Sequence, residues 1–323
     1  FQKCLYPHAC HGSNENSNFT ETCDESNGYS NNCTDENNQP SRCRLCATCI
    51  GTGSLRYKRT GSGTRCKLCP DPGMNKFLLC VGFVVMIIGS SIFIYMEITS
   101  ERSKDEISDV VKKIILNFLQ IVSLAAGLPL AWPDAMQNMF EFFATLSSAG
   151  TTLMIPDCEF AHLRTSDVFY QKQIVYTFSV PIIIVICILV WLLITFCCQK
   201  KCNLKSNQIK DYTILSIVLM LFLFYPTLVK LTLSMLKCPT VGHKLYLMAD
   251  LQEQCFVRRH ATYIYLLTVP QIILYVLGLP MTAAFIIFRN KEQLHQKKMS
   301  MRYGLLYMGY KPGREWWELV IVG

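Results

Sequence analysis

Cysteine has the most chemistry to offer in this sequence: 17 of its 323 residues are Cys, beside only 6 His. Cys43-Arg-Leu-Cys46-Ala-Thr-Cys49 and Cys66-Lys-Leu-Cys69 have the C-x-x-C spacing of a zinc ribbon, with His8 and His11 nearby as further ligands. In an oxidising compartment the same thiols pair as disulfides. The sequons Asn18-Phe19-Thr20 and Asn32-Cys33-Thr34 fall in the same stretch, and such acceptors belong to surface loops of secreted chains. Disulfides are therefore expected here, with no metal and no cofactor. No nucleophile elbow, phosphate-binding loop, H-E-x-x-H or H-x-x-x-H pair occurs, so catalysis is not expected.

The elements that must position these cysteines are apolar. The chain is 51% hydrophobic and 17% charged, against roughly 25% charged in soluble domains, and its mean hydropathy is +0.25. Five runs are long enough to cross about 30 Å of hydrocarbon: Phe77 to Met96, Ile114 to Ala131, Ile174 to Cys198, Thr213 to Met235 and Thr262 to Phe288. None contains Asp, Glu or Arg. The fold class that follows is mainly α, a polytopic transmembrane helix bundle over residues 77–288. Residues Trp316 to Gly323 (WWELVIVG) read as the start of a further span, and a secretory signal, if the protein has one, lies upstream of Phe1.

Lysine and arginine counts orient the bundle. Residues 199–211 carry Lys200, Lys201, Lys205 and Lys210, and the basic segment 289–323 carries Arg289, Lys291, Lys297, Lys298, Arg302, Lys311 and Arg314. Both read as cytoplasmic, which puts residues 1–76, 132–173 and 237–261 outside. The cysteines sort the same way. Cys4, Cys10, Cys23, Cys33, Cys43, Cys46, Cys49, Cys66 and Cys69 precede the first span, Cys158 lies in the long outer loop, and Cys238 and Cys255 share the last one. Twelve is an even number. Cys238 is expected to bond Cys255, and Cys158 to bond the unmatched cysteine of the N-terminal segment.

Residues 1–76 are polar and poor in aliphatics, so disulfides rather than a core must hold them as a small extracellular module. In the outer loop, Met136, Met139, Phe140 and Phe143 recur at helical spacing, which predicts an amphipathic helix over 135–147. Within the spans, Pro181, Pro226, Pro270 and Pro280 each remove a backbone donor and are expected to kink their helices. Asn117, Gln120 and Gln271 are costly against lipid and should hydrogen-bond between helices, the alternative being an intramembrane polar site. Lys230 is the one charge well inside a span. It either snorkels to the outer interface or faces an internal cavity.

The spacing of Cys4-Leu-Tyr-Pro-His-Ala-Cys10, Cys23 with Gly28-Tyr29, Cys43 to Cys49, and Cys66-Lys-Leu-Cys69-Pro70 resembles the ephrin-receptor-like cysteine modules of large protist and algal surface proteins. Asn117-Phe118-Leu119-Gln120, Trp132-Pro133, Pro156-Asp157-Cys158, Tyr225-Pro226, Tyr246 to Asp250 and Gly278-Leu279-Pro280 resemble the membrane portion of the same proteins. Tyr303-Gly304-Leu305-Leu306-Tyr307 to Tyr310 and Trp316-Trp317-Glu318 are similar to the tail of fungal TRP-like membrane proteins. The resemblance implies a multi-pass membrane fold and a surface location. Cysteine modules immediately above the first span favour an anchor for a large extracellular cysteine-rich adhesive or filamentous assembly. The alternative is a TRP-like channel or transporter subunit. Its surroundings would be a lipid bilayer and other membrane, matrix or filament proteins, with no nucleic acid, in the plasma membrane, another secretory-pathway membrane or a ciliary one.

Overall fold

Short disulfide-linked hairpins and single 3-10 turns are the regular structure described in the polar N-terminal stretch. A computed structural model describes residues 4, 9–11, 22–35, 39–51, 56–59, 66–99, 158, 165–198, 206–294 and 296–307, with single positions at 111, 114, 115, 117, 118, 121, 122, 136 and 139. The chain divides into two compact units. One comprises Phe1–Met86, Ile121–Gln173 and Leu231–Thr268, the other Ile87–Gln120, Ile174–Lys230 and Val269–Gly323.

The first unit opens with three antiparallel hairpins, β1 (Cys10–His11) with β2 (Thr22–Cys23), β3 (Asn32–Thr34) with β4 (Pro40–Arg42), and β5 (Tyr57–Arg59) with β6 (Cys66–Leu68). Isolated two-stranded hairpins are marginal in water. Here Cys4–Cys10, Cys23–Cys46, Cys33–Cys43 and Cys49–Cys66 cross-link them. Among the described residues their core is Ala9, Cys23, Tyr29 and Cys46, so the disulfides themselves carry much of the packing. Gly28 has φ +83°, and a Cβ there would overlap the Tyr57 ring, which restricts the position to glycine.

Cys69–Cys158 then joins the end of this module to the segment that precedes the helix beginning at Thr165. The same unit holds a three-stranded sheet, β7 (Thr240–Val241), β8 (Lys244–Leu247) and β9 (Asp250–Gln254), in the order β7-β8-β9. Gly242, with φ +67°, makes the two-residue turn between β7 and β8. Cys238–Cys255 closes the sheet at its base. Sequence patterning leaves this stretch as a loop, because β9 reads Asp-Leu-Gln-Glu-Gln and lacks the β-branched alternation of a strand.

Among the described residues, the helices include α1 (Pro72–Thr99), α2 (Thr165–Cys198), α3 (Ser206–Ser234), α4 (Arg258–Arg289) and α5 (Lys297–Tyr307). Among the described residues, three stretches are long and apolar enough to cross a membrane, Thr165–Phe196, Gln208–Ser234 and Arg258–Arg289. The protein is mainly helical, with a disulfide-rich N-terminal region. Helix α2 exposes Val175, Phe178, Ile182, Val185, Leu189 and Phe196, a face that water alone would not tolerate on a monomer.

Two of the four intrahelical prolines are accommodated by borrowed hydroxyls. Pro181 leaves the carbonyl of Thr177 without its helical donor, and Tyr275 Oη donates to that oxygen at 2.6 Å. Pro280 does the same to Val276, whose carbonyl takes Tyr225 Oη at 3.0 Å. Gln271, 2% exposed, donates to Thr177 Oγ1 at 2.6 Å. Around Pro270, α4 is π-helical over Ile264–Thr268 and Ile272–Leu277, so the break is spread over two wide turns. Helix α5 packs back through Ile287, Leu294 and Tyr307, with Tyr307 Oη on the Leu294 carbonyl at 2.5 Å. Arg302 ion-pairs with Asp211 of α3.

Candidate functional site

A buried set of polar contacts in the first unit centres on β9. Four of its five residues are buried although three of those four are polar, so each needs a partner. Asp250 Oδ2 accepts from the Ser166 N–H in the first turn of α2 at 3.0 Å, and its Oδ1 accepts from the Gln252 N–H at 3.0 Å. A carboxylate at a helix start satisfies an orphan donor and complements the helix dipole. Tyr170 Oη donates to Glu253 at 3.3 Å. On the module side, Arg44 Nη1 donates to the Leu251 carbonyl at 3.1 Å and to Gln252 Oε1 at 3.0 Å. The Arg44 guanidinium also lies 4.4 Å from the Tyr246 ring centroid, a cation–π contact that a lysine would make less well.

An aromatic and basic group joins α2 to α4. Tyr170 and Tyr263 stack at 4.1 Å and 8°, Arg259 sits 4.7 Å over Tyr170, and Arg259 ion-pairs with Asp167. His260 is fully buried. Its Nδ1 accepts from the Phe256 N–H at 3.0 Å and its Nε2 lies 3.2 Å from the Met235 carbonyl, which fixes a neutral ring protonated on Nε2. The sulfurs of Cys238 and Cys255 and a His260 nitrogen lie within 4.8 Å of one another. That is a metal-ligand set by distance alone. The disulfide consumes both thiols and the backbone occupies both ring nitrogens, so the group is built for cohesion.

Of the residues singled out by sequence, Asn32 is exposed on β3 opposite Arg42. Asn18 lies outside the described residues, as do His8, Gln120 and most of 135–147, of which Met136 and Met139 are helical and exposed. Asn117 is half-buried in a helical position, and its Oδ1 accepts no hydrogen bond from the described residues. Lys230 is half-buried in the last turns of α3. The twelve predicted cysteines form six disulfides, while Cys80 and Cys187 are free thiols. Asn117, Lys230 and Gln271 are not brought together by any described contact.

Sequence reasoning missed Arg44, Tyr170, Asp250, Glu253 and Arg259. One signal was available: charged and aromatic residues immediately flanking apolar runs whose outer loop is closed by two cysteines.

Comparison with known proteins gives one informative likeness. The chain is 20% identical to cysteine repeat modular protein A of Toxoplasma gondii, over 86% of this chain and 11% of that protein. No protein-family profile matches, and no solved structure does. The chain thus spans a small part of the length of the relative it matches.

Proposed function

We propose that this chain is the membrane-embedded end of a modular cysteine-rich surface protein, a multi-pass anchor for an extracellular adhesive or filamentous assembly. The observation that carries the reading is the Cys69–Cys158 bridge. Cys69 ends the hairpin module three residues before the start of α1, so the module is tied to the helices both by its peptide and by a disulfide to a second segment. Arg44 adds a third, noncovalent hold. Load on the module is shared between α1 and the elements around α2 instead of falling on one helix. Likeness to a cysteine repeat modular protein over 86% of the chain supports the same reading. Under it, residues 1–76 lie outside and are glycosylated at Asn18 and Asn32, residues 77–288 span the bilayer, and the basic segment 289–323 is cytoplasmic. Location is the plasma membrane or another secretory membrane, and the neighbours are lipid and matrix or filament proteins.

A protease site inserted after Asp71 separates the two covalent tethers. Cleavage without reductant should leave the module with the helices on a denaturing gel, and reductant should release it. The Cys158→Ser variant should release it on cleavage alone. Release of the wild-type module without reductant would contradict the reading.

A second reading, a TRP-like channel or transporter subunit, is favoured by the two π-helical segments of α4, since such wide turns concentrate at functional sites. Planar-bilayer recording of the wild type beside Lys230→Ala tests it. Single-channel steps whose ion preference moves with the substitution would replace the anchor by the channel.

A further inference from the structure

Two kinds of local cost converge on β9. The first is backbone conformation. Among the described residues, the non-glycine positions with positive φ are Leu45 (50°), Cys46 (49°), Phe256 (60°) and Arg258 (45°). Left-handed conformations disfavour side chains, and such residues cluster where a fold holds a functional geometry. Leu45 and Cys46 follow Arg44 directly, and Phe256 and Arg258 lie in the connection from β9 to Arg259 and His260. The strained positions therefore bracket one path: Arg44 to β9 to the start of α2 and α4.

The second cost is polar burial. Gln252 Nε2 and Ser166 Oγ are buried without a hydrogen-bond partner among the described residues, and Gln252 and Ser166 are the residues that Arg44 and Asp250 hold. Buried polar atoms without partners weaken the arrangement that contains them. A strand flanked by strained turns and carrying an unmet donor at Gln252 is less stable than its surroundings, and it touches the module through Arg44 and the first turns of α2 through Ser166 and Tyr170.

We infer that β9 is a coupling element: docking of the cysteine module through Arg44 and the seating of the first turn of α2 through Asp250 and Tyr170 stabilise each other through this strand. Engagement or tension on the module then changes the order of the helix starts, which gives the chain a signalling capacity beyond holding. Thermodynamic linkage makes the effect reciprocal. Loosening α2 must loosen the module's grip as much as undocking the module loosens α2.

Hydrogen exchange on the full chain in nanodiscs tests both directions. Arg44→Gln should raise exchange not only at residues 250–254 but also at 165–170, which Arg44 does not touch, by about 5-fold or more. Tyr170→Phe, which deletes one hydroxyl, should raise exchange at residues 43–49. Mass mapping of Cys69–Cys158 and Cys238–Cys255 confirms the fold of each variant, and should Arg44→Gln fail it, Tyr170→Phe decides alone. Changes confined to the immediate neighbours of each substitution would overturn the coupling. Anchoring would survive that result, because it rests on the disulfide.

Discussion

At the scale of single residues, hydroxyls do the work that backbone amides cannot. Tyr275 and Tyr225 each cap the carbonyl that a proline leaves open on a neighbouring helix. Tyr275→Phe is expected to destabilise the chain by about 1 kcal/mol, the net worth of one such bond, and more if the carbonyl stays dry. Thermal unfolding in detergent, with Tyr225→Phe alongside, measures it; equal stability of both variants with wild type would mean that the carbonyls find other donors. Gly28→Ala makes a sharper case. Positive φ and the Tyr57 ring both oppose a side chain there, so misfolded or scrambled disulfides are expected in that variant, read by mass mapping. The sequence shows the prolines plainly, but not which tyrosine answers which proline, because helical spacing does not report the register of one helix against another.

At the scale of elements, the β7–β9 sheet depends on its closing disulfide. Cys238 and Cys255 are 17 residues apart, and removing a link of that loop length costs roughly 3 kcal/mol in the chain-entropy account. The double Cys238→Ser, Cys255→Ser variant should lose protection at Leu247 and Leu251 first, as hydrogen exchange will show; unchanged protection there would show that Arg44 and Asp250 alone hold the strand. The long helices were legible because apolar runs report themselves: the runs starting at Ile174 and Thr262 fall inside α2 and α4, and the run starting at Thr213 ends one residue past α3. The sheet was not, since Asp250, Gln252 and Glu253 are polar and their burial is decided by partners far away in sequence, Arg44 and Tyr170. Likewise the cysteine count calls for a bridge from the module to Cys158. Which of nine cysteines makes it follows from the hairpins, which use up the other eight and leave Cys69.

For the whole molecule, the account joins a module with almost no apolar core to helices with large exposed apolar faces. Neither part is at home in the other's solvent. Disulfides supply what the module lacks, and a bilayer would supply what α2 and α4 need, given exposed Phe178, Leu193, Ile273, Leu277 and Phe288. The central claim is that the module stands outside a membrane that the helices cross. Its most direct measurement is tag accessibility in intact cells expressing the full chain, with one epitope in the module and one in the basic segment after Arg289. External protease should remove the module tag while the second tag stays protected in a membrane fraction that resists alkaline extraction. Loss of both tags together, or release of the chain by alkali, would contradict the account.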